Sequence, residues 1–242
     1  DTRLDWENCC TAPPRPLDMV IGGLSAGEIG LILNFAGYGR AWLALSMAVS
    51  VAADLPVAPH GPDSRLLSPP RKKGHVLLAN AYDTPERLHR QIFLLAHWLQ
   101  REHSAGRLQV PAGWNVREIG TNLSTISLQL PPPLVVPGSK NEWVAGPGET
   151  WLRRSAEGAR LSVLNPLWHD FDEHDAAPMA TLATTLRTVA QKTGSAFLLF
   201  HNATTPLPRG LAVLAERASW VWSVRPMDRE TARKYSIPEP TR

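Results

Sequence analysis

Four short runs constrain this chain most: "IGLILNF", "HVLLANA", "RLSVLN" and "AFLLFH" are apolar almost throughout and bounded by glycine or polar residues. A strand with one wet face alternates apolar and polar residues; a continuous apolar run of this length fits a strand buried on both faces. The segments between them carry helical signals, which supply the crossovers that parallel strands require. The expected fold is therefore α/β, with a mostly parallel central sheet flanked by helices.

The crossovers read as follows. Residues 40–53 contain no breaker and are apolar nearly all round, as in a buried helix. Thr84 is an N-cap with Pro85 at the first helical position, and Leu88, Ile92, Leu95 and Leu99 follow at helical spacing to about Arg101. Further helices are expected near Glu149–Glu157, Ala177–Lys192 and Leu211–Arg217, with "SWVWSV" as a last strand that puts Trp220 and Trp222 on one face. Proline-rich residues 1–27 read as an extended arm lying across a surface, outside the core. Residues 104–150 read as an irregular insertion with weak strand signals at 108–118 and 124–130. All of this fits within one domain of 242 residues.

Composition narrows the setting. Twenty-five basic residues against 22 acidic give a net charge of +3, too balanced to argue for nucleic acid without local clusters. Such clusters occur at Arg71–Lys73, at Arg153 and Arg154, and at Arg225, Arg229, Arg233 and Lys234. Only Cys9 and Cys10 are present, which suits a reducing cytoplasm, and no apolar window approaches the ~18 residues of a membrane span.

The turn after the first buried strand has the rhythm of a phosphate loop, G-x-x-x-x-G-K-[ST], in which glycines admit backbone N–H groups to phosphate and the lysine and hydroxyl serve phosphate and Mg²⁺. Here those positions hold Asn34, Phe35, Ala36, Gly37, Tyr38, Gly39, Arg40 and Ala41. One motif glycine survives, so these residues alone favour an ordinary strand-turn-helix.

Five segments together resemble the RepA-type hexameric replicative DNA helicases of plasmids, in the RecA-like P-loop ATPase group. They are "APPRPLDMVIGGLSAGEIGLIL", "LANAYDTPERLHRQIFLLAHWL", "RLSVLNPLWHDFDEHDAAPMATL", "LLFHNATT" and "RGLAVL". The resemblance implies a RecA-like core, a hexameric ring as homo-oligomer, single-stranded DNA as partner and ATP with Mg²⁺ as cofactors. It puts Ala36, Gly37, Gly39, Arg40 and Ala41 at the nucleotide, with Arg40 in the lysine position and Ala41 where a magnesium-binding hydroxyl belongs. By the same resemblance Tyr82 replaces the catalytic carboxylate and Asn165 the Walker B aspartate. His201 is the first of the family's two sensor histidines, Asn202 replaces the second, and Arg209 matches the arginine finger.

The expectation is a catalytically degenerate relative of a plasmid replicative helicase: at most weak binding of ATP or DNA, magnesium a poor fit, hydrolysis lost or very weak. Two alternatives stay open, an active helicase using Asp83 or Asp170 as substitute carboxylate, and a regulatory or DNA-associated subunit of a helicase ring. The family's last strand pair is expected to be missing after Arg242. The run "HDFDEHD", His169–Asp175, has the composition of a metal site, but a polar loop is the preferred reading and no metal is expected there.

Overall fold

The computed structural model describes residues 16–35, 39–55, 73–81, 83–108, 110–111, 113–128, 130–139 and 142–225, with 230 and 234. Ten strands and six helices run in the order β1 (Met19–Ile21), β2 (Leu24–Ser25), β3 (Ile29–Asn34), α1 (Arg40–Ala53), β4 (Val76–Ala81), α2 (Pro85–Ser104), α3 (Arg117–Asn122), β5 (Leu123–Leu128), β6 (Val135–Pro137), β7 (Trp143–Ala145), α4 (Pro147–Ser155), β8 (Leu161–Asn165), α5 (Ala176–Thr193), β9 (Ala196–Asn202), α6 (Arg209–Arg217) and β10 (Trp220–Val224) among the described residues. The central sheet has six strands in the order β10-β3-β9-β8-β4-β5, and every neighbouring pair is parallel. This is an α/β fold consistent with a RecA-like or Rossmann-type core.

Alternation along the strands explains the continuous apolar runs. Val76, Leu78, Leu161, Val163, Leu198 and Phe200 join one core, beneath α1 and α2. Their neighbours Leu77, Ala79, Leu164, Phe197 and Leu199 join a second core, beneath α4, α5 and α6. Each strand is thus apolar on both faces because each face has its own helix layer. Trp220 and Trp222 share the first core with ring centroids 4.5 Å apart, and Gly30 leaves room for Trp220, whose ring would lie 2.9 Å from an added Cβ.

The helix expectations hold closely. α1 spans Arg40–Ala53, and Thr84 caps α2 by accepting from the Arg87 N–H, with Pro85 in the first turn. No helix among the described residues is long and apolar enough to cross a membrane.

Two expectations need correction. The described part of the arm is not a surface strap: β1 and β2 pair as a hairpin around Gly22 and Gly23, and Val20, Ile21 and Leu24 lie in the first core. Arg160 anchors its entry by gripping both carboxylate oxygens of Asp18, at 2.8 and 3.0 Å. Residues 108–118 form no strand among those described; they make turns and the start of α3, with Leu108 and Trp114 buried as anchors. The signal at 124–130 is the sheet's edge strand β5, and the proline-punctuated stretch after it holds the β6–β7 hairpin. Residues 1–15, Arg71 and Lys72, Arg229 and Arg233 lie outside the described residues.

Candidate functional site

Because β3 to β4 leaves a gap later filled by β8 and β9, the carboxyl ends of these four strands meet where open α/β sheets place their ligands. In that row sit Asn34, His201, Asn165 and Asn80, each no more than 5% exposed. Strand register sets Leu33 beside His201, Asn34 beside Asn202, and Asn80 beside Asn165. The period of two assigns Asn34, Asn80 and Asn165 to the α1 face and His201 to the opposite face.

On the α1 face, the Asn165 amide donates to the Asn80 carbonyl oxygen at 3.0 Å. The Asn165 side-chain oxygen is buried without a hydrogen-bond partner among the described residues. Neutral amides therefore occupy the ends of β4 and β8. They do not fit magnesium, which favours carboxylate and water oxygen, and Ala41 adds no hydroxyl.

Gly39 caps α1 in the left-handed region, at φ 72°, with no side-chain cap and no acidic residue in the first turn. The free N–H groups at this end, with the helix dipole, favour an anion. Arg40 opens the helix half-buried, with its Nε buried and without a hydrogen-bond partner among the described residues. Burial lowers its pKa and Asp83 opposes that in part; a guanidinium remains a cation in proteins. Ala36, Gly37 and Tyr82 lie outside the described residues.

Asp83, the substitute base of the active-helicase reading, is already engaged. Its Oδ1 accepts from the Thr84 N–H at 3.1 Å and lies 3.6 Å from Arg87 Nε. Asp170, Asn202 and Arg209 are exposed, Arg209 as the first residue of α6. Arg153 and Arg154 are exposed on α4, Lys73 pairs with Glu118, and Arg225 lies over the Phe35 ring at 4.4 Å.

On the other face, the loop after β8 folds back onto the end of β9. His201 Nε2 lies 2.8 Å from Glu173 Oε1, and His169 Nε2 lies 3.7 Å from the same oxygen. The two imidazoles stack at 5.5 Å, and Phe171 stacks on His169 at 4.8 Å. Sequence reasoning singled out His201 and the run His169–Asp175 separately but did not join them; the four-residue spacing of His169 and Glu173 was the available signal.

His201 is held below its ordinary value of 6.5, first by burial, with Glu173 raising it and His169 and Arg40 lowering it. The fold thus disfavours the imidazolium. As pH falls through about 6.5 the unfolded chain takes up this proton before the folded one, so stability drops, then levels once folded His201 is protonated. Melting curves across pH 5 to 8 in chelator-containing buffer should show this drop, and His201→Gln should flatten it.

No protein-family model matches the chain.

Proposed function

We propose that this chain is a non-hydrolysing relative of RecA-like helicase ATPases that binds the phosphates of a nucleotide weakly and without magnesium at the start of α1. The observation that carries the reading is the Asn165–Asn80 amide pair, buried at the place where the resemblance asks for a metal-holding carboxylate. The Gly39 cap and Arg40 support the anion site, because an uncapped helix end and an adjacent guanidinium both attract phosphate. Ring assembly of identical copies and contact with single-stranded DNA belong to the same proposal. They rest on the resemblance and on the exposed Arg153 and Arg154.

Calorimetric titration with a non-hydrolysable ATP analogue tests it. Binding should be weak and equal in magnesium and in chelator, and Arg40→Ala should weaken it roughly ten- to hundredfold, the worth of about 1.5–3 kcal/mol for a charged hydrogen bond. A tenfold tightening on adding magnesium would show that the metal subsite survives and the proposal is wrong. The active-helicase alternative is less favoured because Asp83 is committed to the start of α2.

A further inference from the structure

We propose that His169, Glu173 and His201 form a site for a zinc-type divalent cation, with a fourth position open to water or an anion. The three side chains bring one ligand atom each to within 4.8 Å of one another. Two imidazoles and one carboxylate are the donors that zinc and its transition-metal neighbours take, whereas magnesium and calcium prefer all-oxygen sets.

The distances suit the ion. With metal bonds of about 2.0–2.1 Å, tetrahedral ligand atoms lie roughly 3.3 Å apart. The contacts at Glu173 Oε1, 2.8 Å to His201 and 3.7 Å to His169, bracket that separation. Closing around a cation needs shifts of about half an ångström at these two contacts, and of up to about 1.5 Å at the widest ligand pair, which lies within 4.8 Å, a movement that side-chain rotation supplies.

A second observation concerns the tautomer of His169. Its Nδ1 lies 3.0 Å from the Phe171 carbonyl oxygen, which can only accept, so Nδ1 carries the proton when the ring is neutral. The Nε2 lone pair then faces the Glu173 carboxylate across 3.7 Å. Two acceptors this close are reconciled by a metal ion between them or by a second proton on the ring, and metal titration distinguishes these. A backbone carbonyl that fixes the far nitrogen is also the usual outer support of a metal-bound histidine. His201 has no such support, since its Nδ1 is buried without a partner among the described residues. Missing outer-shell partners typically cost about 10–100-fold in affinity, which sets the site below the tightest zinc proteins.

The frame is preorganised. The Glu173 carbonyl accepts from the Leu211 N–H at 3.2 Å, tying the turn to the start of α6. The neighbouring His174 and Asp172 pair with each other at 3.1 Å instead of turning inward. The Glu173 side chain is 34% exposed, so an ion can enter from solvent.

The competing account is a plain hydrogen bond between a buried histidine and a glutamate, and metal titration separates the two. The metal-stripped 242-residue chain is titrated with Zn²⁺ by calorimetry and with Co²⁺ by visible absorption. One equivalent should bind, with the intense cobalt bands of a low-coordinate site. Glu173→Gln and His169→Gln should each weaken binding at least tenfold with unchanged circular dichroism, while His174→Ala and the Cys9→Ser, Cys10→Ser double variant should bind as the parent does. No binding by the parent, parental affinity in either Glu173→Gln or His169→Gln, or loss of binding in the cysteine or His174 variants would overturn the proposal. None of these readouts depends on nucleotide, so this site stands or falls apart from the anion site at α1.

Discussion

Gly210→Ala is expected to lower the stability of the folded chain by about 2 kcal/mol, against the gain of about 1 kcal/mol that helix propensity predicts for this change. An added Cβ at residue 210 would lie 2.5 Å from the backbone oxygens of both Glu173 and Asp175 and 3.0 Å from the Asp175 carbonyl carbon. These are backbone atoms of a turn held by the Asp175 N–H to Asp172 carbonyl bond, and the Leu211 N–H binds the Glu173 carbonyl. Neither side can yield alone. α6 cannot simply withdraw, because Leu211 and Leu214 are fully buried in the second core. Overpacking of this kind costs about 1–3 kcal/mol, and two backbone clashes place it at or above the upper end. The clash wins over propensity. Gly120, inside α3 with nothing within 4 Å of its added Cβ, is the control: Gly120→Ala should stabilise by up to about 1 kcal/mol. Urea midpoints of the two variants should therefore move in opposite directions. Because the displaced turn carries Glu173, Gly210→Ala should also lengthen the contact between Glu173 and His201.

What could be read in advance followed from where physical signals were redundant. β3, β4, β8 and β9 were legible because burial on both faces keeps the runs apolar except for Ser162 and the polar residues gathered at their carboxyl ends. α2 was legible because Thr84, Pro85 and the leucine spacing agree. The β1–β2 hairpin was not, since strands of three and two residues are too short to show a period and the prolines before them argued for a surface path. Residues 108–118 looked strand-like because Leu108, Val110 and Trp114 are apolar; they are anchors of a turn packed against the first core. At the site, Asn165 and His201 could be placed at strand ends one at a time. The pairing of Asn165 with Asn80 and of His201 with Glu173 links residues 85 and 28 positions apart, and no local pattern encodes such contacts. Composition alone also could not tell which members of His169–Asp175 turn inward, a choice made by the turn that docks on α6.

Phosphate release from magnesium ATP should not exceed the enzyme-free blank, with or without single-stranded DNA. Removing one positioned electrostatic group costs a catalyst about 10²–10³ in rate, and groups that act together lose most of their effect when the first is gone. Here Ala41, Tyr82 and Asn165 replace three groups by the resemblance, so the deficit against an intact ATPase should be at least ~10⁴-fold. The same non-additivity predicts that single reversions fail. Asn165→Asp is structurally tolerable, because the Asn80 side chain can turn its amide toward the new carboxylate, yet it restores neither hydroxyl nor base. Only the combined Ala41→Thr, Tyr82→Glu, Asn165→Asp variant should rise above the blank, by about 10²-fold or more over any single reversion. DNA-stimulated release by the unmodified chain would contradict this, and its response to Asp83→Asn would locate the error. If that change stops the reaction, the carboxylate beside the Thr84 cap of α2 serves as base; if it does not, the base lies elsewhere on the strand edge, and in either case the neutral amide pair does not silence the site.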